Sequence, residues 1–333
     1  MTTRRVIGLS VVATAVIWFQ VAGRFEARRI DAQRDVRAQV TSRPASLRVD
    51  SDRLMATVQT LADPRFEGRA AGSPGGIAAR AWILERIKAI GLQPVSGSYE
   101  FPFKFTRMAL KGRVDGEGAN LLGLCLGTDP KAPMFVVSAH YDHLGIRNGV
   151  LFPGADDNAS GVAVVLAVAE YCQKTPFRRS VVFALFDAEE AGLQGAKAFV
   201  IAPPLPKDRI ALNVNLDMVS RNDKREIFIA GTYPWPHLKA PLDEVAKRAP
   251  VTVLFGHDKP MPVAGGVDDW TNQSDHGPFH AANIPFVYFG VEDHLDYHKP
   301  TDTADKIDRG FFVAVAETVL DAIMQLDKSI IPQ

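Results

Sequence analysis

The chain has 333 residues, enough for one large α/β domain or two smaller ones, and its 38 basic and 38 acidic residues give a formal net charge of zero. No dense basic block occurs beyond the N-terminal region, so the composition argues against a nucleic-acid partner. The two cysteines, Cys125 and Cys172, are too few for a disulfide framework, and we interpret them as buried small hydrophobic residues, with one disulfide as the alternative.

The N-terminal region has the pattern of an export signal. Two arginines precede an uncharged apolar run from Val6 to Gly23, which is long for a cleaved signal and just long enough to cross a bilayer. We therefore expect an exported chain, periplasmic or extracellular, in which residues 1–23 are a signal peptide or a membrane anchor attached through residues 6–23. Residues 24–49 are charged and poor in large apolar side chains, which predicts a stalk.

Residues 50–333 have the pattern of a single α/β domain. Apolar residues at helical spacing cover Leu54 to Leu61, Ile77 to Ile90, Ala159 to Tyr171, Pro241 to Arg248 and Phe311 to Leu326. Short apolar runs typical of buried strands cover Met134 to Ala139, Ser180 to Phe186, Ala211 to Leu216, Glu226 to Ala230 and Pro285 to Phe289. Tyr99 to Leu126 alternates as strands do, and Leu254 to Trp270 is predicted to be mainly loop. We predict one three-layer α/β/α domain with a central, mostly parallel mixed sheet.

Three of the predicted strands end in side chains that can bind a metal ion. The first leads into His140-Tyr141-Asp142-His143, the second into Asp187-Ala188-Glu189-Glu190, and the third into Asp217. In open α/β sheets the ligand crevice lies outside the carboxyl ends of the strands, so these side chains are expected to meet. Imidazole and carboxylate groups are ligands that zinc prefers. The residues alone therefore predict a metal site at this edge of the sheet.

The number of candidate ligands suits a pair of cations. Two cations about 3.5–4 Å apart can activate a water molecule and clamp a substrate, and one shared carboxylate holds them that close. Such a site needs about five protein ligands. The chain supplies His140, Asp156 or Asp157, Glu189 or Glu190, Asp217 and His298.

Six motifs together resemble those of the family-28 metallopeptidases, the di-zinc aminopeptidases. They are His140-Tyr141-Asp142, GADDNASG from Gly154, DAEEAGLQG from Asp187, Asn215-Leu216-Asp217-Met218, SDHGPF from Ser274 and YHKPTDT from Tyr297. They follow the family's order, and the resemblance extends from about Leu54 to Asp308. It implies two zinc ions per chain, with Asp157 as the bridging ligand. It assigns His140 and Asp217 to one ion and Glu190 and His298 to the other.

The resemblance also implies roles for residues that do not bind metal. Glu189 is expected to be the general base that activates a metal-bridging water molecule and later protonates the leaving amine. Asp142 is expected to hydrogen-bond the His140 imidazole, and Tyr297 to polarise the scissile carbonyl or stabilise the oxyanion. The family further implies a strained, often cis, peptide bond after Asp157. Five other histidines are expected to have ordinary structural roles: His143, His237, His257, His280 and His294.

The leading hypothesis is a metal-dependent exopeptidase that removes N-terminal residues from peptides with a free N-terminus. A glutaminyl-peptide cyclotransferase shares the scaffold but typically works with one zinc ion, and the full ligand set argues against it. A carboxypeptidase acting on acidic dipeptides would need basic groups near the pocket. A non-catalytic binding protein with the same fold would normally have lost the base or a ligand, and here both are present.

Overall fold

The computed structural model of the chain describes residues 48–109, 112–260 and 267–329. The expected signal peptide or anchor and all but the last two residues of the expected stalk lie outside these ranges. In the described part of the chain, no helix combines the length and the apolar character needed to cross a lipid bilayer.

The α-helices of the described ranges alternate with strands along most of the chain. The helices are α1 (Ser51–Leu61), α2 (Pro74–Ile90), α3 (Gly161–Lys174), α4 (Gln194–Ile201), α5 (Lys239–Arg248), α6 (His276–Ala281) and α7 (Arg309–Ser329). The strands are β1 (Gln93–Pro94), β2 (Glu100–Ala109), β3 (Gly112–Cys125), β4 (Met134–His140), β5 (Gly145–Arg147), β6 (Val150–Phe152), β7 (Val181–Phe186), β8 (Ile210–Asp217), β9 (Glu226–Ala230), β10 (Thr252–Phe255) and β11 (Phe286–Gly290).

Helix α2 illustrates how local sequence sets the helix boundaries. It begins at Pro74, whose fixed φ suits the first turn, and the Ser73 hydroxyl accepts a hydrogen bond from the Gly76 N–H at 3.0 Å. It ends before Gly91, which has a φ of 88° that a side chain would disfavour. The predicted helix from Ile77 to Ile90 therefore forms and starts one turn earlier than its apolar pattern indicates.

Within the described ranges, nine strands form one sheet in the order β1-β3-β7-β4-β8-β11-β9-β10, with β2 also paired to β3. The centre of the sheet is parallel, because β7 pairs with β4, β4 with β8, and β8 with β11 in this sense. Strand β3 pairs antiparallel with β1, β2 and β7, and β11 pairs antiparallel with β9. The predicted α/β fold with a mixed sheet is confirmed, and its parallel pairings are concentrated at the centre.

Helices cover both faces of the sheet. Alternate residues of β7 point to opposite sides: Val181, Phe183 and Leu185 join one apolar core, and Val182, Ala184 and Phe186 join another. The first core also contains side chains of α1, α2, α3, α5 and α7, whereas the second contains side chains of α4 and α6. This arrangement confirms the predicted three layers, and burial of the two cores supplies the main force that stabilises them.

The segment Leu254 to Trp270, predicted to be mainly loop, is loop in its described residues except Leu254 and Phe255, which end strand β10. Strand β10 pairs parallel with β9. The structure corrects one sequence-based prediction. The two cysteines, interpreted as unpaired, form a disulfide between Cys125 at the end of β3 and Cys172 in α3. The partners are 47 positions apart in sequence, and closing this loop stabilises the fold by about 4 kcal/mol in the chain-entropy description.

Candidate metal centre

His140 and Asp217 are the last residues of two adjacent parallel strands, β4 and β8, so they lie at the same edge of the sheet. The Nε2 atom of His140 lies 3.2 Å from Oδ1 of Asp217 and 3.4 Å from Oδ1 of Asp157. The other oxygen of Asp217 accepts a hydrogen bond from the Ser274 hydroxyl at 2.6 Å. We call His140, Asp157 and Asp217 the first group; all three are buried and could hold one cation.

Asp157 is held in the irregular segment that joins the hairpin β5–β6 to α3. The Asp157–Asn158 peptide bond is cis, as the resemblance predicts. The carboxylate of Asp302 accepts hydrogen bonds from the N–H groups of Asp156 and Asp157 at 3.0 and 3.1 Å. The Asn158 side chain accepts a hydrogen bond at 2.9 Å from the N–H of Gly161, the first residue of α3. These contacts fix the backbone from which Asp157 projects.

A second group forms on the other side of the Asp157 carboxylate. Oδ2 of Asp157 lies 3.1 Å from Nε2 of His298, and Oε2 of Glu190 lies 3.4 Å from the same atom. The Nδ1 atom of His143 lies 2.8 Å from Oε1 of Glu190 and 3.6 Å from Oδ2 of Asp157. We call Asp157, Glu190, His143 and His298 the second group. Asp157 is therefore common to both groups.

The donor atoms and their spacing fit zinc. In a tetrahedral site with bonds of about 2.0–2.2 Å to nitrogen and oxygen, neighbouring ligand atoms lie about 3.4 Å apart. The nitrogen-to-oxygen separations given for the two groups run from 2.8 to 3.6 Å. Burial raises the pKa of Asp157, against the opposing charge of His143. A cation would therefore stabilise these buried carboxylates, because buried charges are paired or coordinate metals.

Asp142 connects the loop after β4 to the loop after β7. Its two carboxylate oxygens accept hydrogen bonds from the N–H groups of Glu189 and Glu190 at 3.0 and 3.3 Å. The predicted hydrogen bond to His140 is not the main contact of this carboxylate, because Oδ1 lies 3.7 Å from the imidazole Nδ1. That nitrogen lies closer, at 3.2 Å, to the backbone oxygen of Asp142. Asp142 thus positions both glutamates as well as the imidazole.

Glu189 lines the same cleft but belongs to neither group. Burial raises the pKa of its carboxyl group well above the usual range, while the charge of His140 opposes the rise. A carboxylate beside the candidate ligands, with a raised pKa, has the properties of a proton acceptor and donor.

The cleft has a volume of about 360 Å³ and opens above the two groups. Tyr297 lines it, with its ring stacked on His298 at a centroid distance of 4.0 Å. Burial raises the pKa of the Tyr297 phenol, which keeps the group protonated. Trp270 also lines the cleft, whereas Phe279 is fully buried in the core between α4 and α6. His276 is buried too, with Nε2 2.8 Å from the backbone oxygen of Trp270, so it supports the pocket wall.

The structure brings the five expected ligands together and adds residues that the sequence did not indicate. His143, expected to be an ordinary structural histidine, lies in the second group. Arg69, in a glycine-rich loop, is fully buried and donates hydrogen bonds to the backbone oxygens of Leu61, Tyr141, Pro153 and Gly154 at 2.6 to 2.9 Å. It therefore holds the loops on either side of β5–β6 near the site. The proximity of His143 to His140 in sequence was the only signal for its position.

The chain is similar to known aminopeptidases in sequence and in fold. Aminopeptidase YwaD of Bacillus subtilis (strain 168) is 26% identical over 257 residues, which cover 73% of this chain and 52% of the relative. The chain thus spans about half the length of that relative. The structure of BSAP, a zinc aminopeptidase from Bacillus subtilis, aligns with a TM-score of 0.66 at 16% identity, covering 84% of this chain and 95% of that one.

A glutaminyl cyclase from Bacteroides thetaiotaomicron aligns equally well, with a TM-score of 0.66 at 19% identity over 83% of this chain and 98% of that one. At these identities the two structures establish the shared fold alone. The family itself follows from the sequence pattern of Peptidase family M28, which matches residues 120–323 and so includes every residue of the two groups. Because this match covers more than half of the chain and contains the candidate metal centre, the chain belongs to Peptidase family M28.

Proposed function

We propose that this chain is a di-zinc aminopeptidase that hydrolyses the N-terminal peptide bond of peptides. The observation that carries the proposal is the position of the Asp157 carboxylate, which is buried and shared by two groups of imidazoles and carboxylates. His140, Asp157 and Asp217 would hold one zinc ion, and Asp157, Glu190 and His298 the other. Bound zinc would supply Lewis-acid chemistry, which lowers the pKa of water and polarises a carbonyl oxygen.

Glu189 would act as the general base and then as the general acid. Its carboxylate accepts a proton from the attacking water and returns it to the nitrogen of the leaving peptide, so that the C–N bond breaks and two neutral products form. Its raised pKa suits both transfers near neutral pH, and the hydrogen bond from its N–H to Asp142 fixes its backbone. Tyr297 would donate a hydrogen bond from its protonated phenol to the oxygen of the scissile carbonyl.

The charge of the cleft supports recognition of a substrate's amino terminus. Five carboxylates line it: Asp157, Glu189, Glu190, Asp217 and Asp293. Among the described residues that line the cleft, His298 is basic and there is no lysine or arginine. Because three of these carboxylates would be zinc ligands whose charge the ions offset, Glu189 and Asp293 are the groups that would attract a free α-ammonium group. The expected class of substrate is therefore a peptide with a free N-terminus.

The apolar part of the cleft is suited to the side chain of the substrate's first residue. Met218, Trp270, Tyr288 and Val291 contribute to its wall, and Trp270 is stacked on His257 at a centroid distance of 3.5 Å. Such a wall would favour apolar over charged first residues, because burying a charge without a partner is costly.

A glutaminyl cyclase remains the second candidate, since that fold aligns as well as an aminopeptidase does. The two activities differ in product: the aminopeptidase releases a free amino acid, and the cyclase converts N-terminal glutamine to pyroglutamate with release of ammonia. Incubation of the purified chain with leucyl and glutaminyl peptides, followed by mass analysis of the products, would separate them. Pyroglutamate without free amino acid would overturn the aminopeptidase proposal, and tight binding without any product would favour a non-catalytic protein.

Removal of metal should abolish hydrolysis. After dialysis against a chelator, we expect the rate with aminoacyl amides to fall at least about 100-fold, because a Lewis acid contributes several kcal/mol and each 1.4 kcal/mol is a factor of ten. Far-UV circular dichroism should remain unchanged, and two equivalents of zinc should restore the rate. Full activity in protein shown by elemental analysis to be metal-free would exclude a metal-dependent mechanism.

We also propose that the chain is exported, with residues 1–23 as signal peptide or anchor, residues 24–49 as stalk and residues 50–333 as catalytic domain. The Cys125–Cys172 disulfide supports export, because disulfides persist in oxidising compartments. If thiols are alkylated in intact cells before lysis, we expect both cysteines to remain unlabelled until the protein is reduced. Labelling of both cysteines without reduction would place the chain in a reducing compartment and contradict export.

A further inference from the structure

His143 lies in a position that the fold builds for an imidazole. It follows β4 and is 1% exposed, and its backbone N–H donates a hydrogen bond to the backbone oxygen of Arg69 at 3.3 Å. Gly154 packs against the ring so closely that a Cβ atom at this glycine would lie 2.5 Å from the ring atoms Cγ and Cδ2 of His143. Any larger residue at position 154 would displace the imidazole. The ring is therefore positioned by its surroundings.

Among the residues that the structure describes, neither ring nitrogen of His143 has a hydrogen-bond partner. Nδ1 lies 2.8 Å from Oε1 of Glu190, but neither atom makes a hydrogen bond within the described ranges. Nε2 has no partner in the described part of the chain, and neither has Oε1 of Glu190. Leaving a buried polar atom unpaired costs about 1–3 kcal/mol. A buried imidazole nitrogen and a carboxylate oxygen that face each other at 2.8 Å, each without a hydrogen-bond partner, have the arrangement expected of two ligands of one cation.

We infer that His143 is a further ligand of the cation held by Asp157, Glu190 and His298. This inference rests on the proposed two-zinc function and adds a residue to one of its two sites. Each of His143, Asp157 and Glu190 offers an atom within 4.8 Å of the others, and the Nε2 of His298 lies 3.1 Å from Asp157. The second group then has four protein ligands, whereas the first group has three.

The difference in ligand number gives the two cations different tasks. Zinc sites with four protein ligands are closed and structural, and those with three keep a position open for water or substrate. The open position would thus be on the ion held by His140, Asp157 and Asp217, the group with three protein ligands. The ion at His143 would be retained more tightly.

His294 contrasts with His143, because it supports a carboxylate through an ordinary hydrogen bond. Its Nε2 lies 3.0 Å from Oδ2 of Asp156 in acceptable hydrogen-bond geometry, and the other oxygen of Asp156 accepts from Ser220. Asp156 is thereby satisfied without a cation. His143 and Glu190 are not satisfied in this way, which distinguishes a metal ligand from a hydrogen-bonding support.

The test compares His143→Gln with His237→Gln, a matched change at an exposed histidine outside the site. Both proteins and the unchanged chain are equilibrated with buffered zinc, and bound metal is counted by elemental analysis. We expect two ions per chain in the unchanged and His237→Gln proteins. In His143→Gln one ion should keep its affinity, and the other should bind at least about 100-fold more weakly, since even outer-sphere partners of ligands contribute about 10–100-fold.

X-ray absorption of the unchanged, zinc-loaded chain gives a second measurement that needs no variant. The imidazole scattering should correspond to a total of three histidine ligands for the two ions, and not to a total of two histidines. A count of two, or unchanged affinity for both ions in His143→Gln, would overturn the inference. If the unchanged chain binds two ions with three imidazoles but hydrolyses no peptide, the proposed function fails while the assignment of His143 stands. Binding of a single ion with one imidazole would overturn both.

Discussion

Replacing Glu189 by glutamine should reduce kcat for aminoacyl amides by about 10²–10⁴-fold, the range attributed to a general acid–base group. The amide has the size of the carboxylate but cannot accept the proton of the attacking water. Glu189 belongs to neither ligand group, and its contact with Asp142 uses its backbone N–H. Zinc content, thermal stability and KM should therefore change little. Steady-state kinetics with elemental analysis of the same preparation provides the measurement.

Glu85→Gln is the matched control for this variant, because Glu85 is an exposed residue of α2 that forms only a surface ion pair with Lys88. Its kinetics should equal those of the unchanged chain. A Glu189→Gln protein that retains more than about a tenth of the activity would assign the proton transfer to another group. If the variant instead loses zinc in proportion to activity, Glu189 is a ligand and not a base.

The main features of the fold are readable in the sequence because they depend on local patterns. The apolar runs of β4, β7 and β8 are buried on both sides and end abruptly in polar residues, so both the parallel centre of the sheet and the edge that carries His140 and Asp217 are predictable. The order of the motifs indicated the family. The resemblance then implied that Asp157, and not Asp156, is the bridging ligand, a choice that the spacing alone left open.

What the sequence could not show depends on contacts between distant segments. Cys125 and Cys172 meet because α3 packs against the sheet, and no local pattern reports that pairing. Arg69 is a charged residue in a glycine-rich stretch, which is typical of a surface loop. In the folded chain, however, its guanidinium donates hydrogen bonds to four backbone oxygens. His143 is three residues from His140, but whether its ring points toward Asp157 or away depends on the turn that follows β4.

Replacing Asp157 by asparagine should remove most of the bound metal. The side-chain amide has nearly the shape of the carboxylate, but its nitrogen cannot coordinate and it carries no negative charge to offset two cations. Because both groups share this residue, we expect the affinity for both ions to fall by at least about 100-fold, beyond the effect of losing an outer-sphere partner. Hydrolysis should fall with metal content. The measurements are elemental analysis at buffered free zinc and the rate with aminoacyl amides.

Asp156→Asn is the control that makes this result specific, since it introduces the same chemical change one residue away in an equally buried side chain. The carboxylate of Asp156 faces Ser220 and His294 and contacts neither group. We expect the free energy of unfolding of this variant to fall by about 1–3 kcal/mol, because the lost hydrogen bonds of Asp156 involve a charged carboxylate. Below its unfolding temperature, the variant should still bind two zinc ions. Equal metal loss in both variants would show that the whole segment, and not a shared Asp157 ligand, determines binding. Loss of one ion only in Asp157→Asn would mean that this carboxylate serves a single site, and its assignment as a ligand shared by both ions would have to be abandoned.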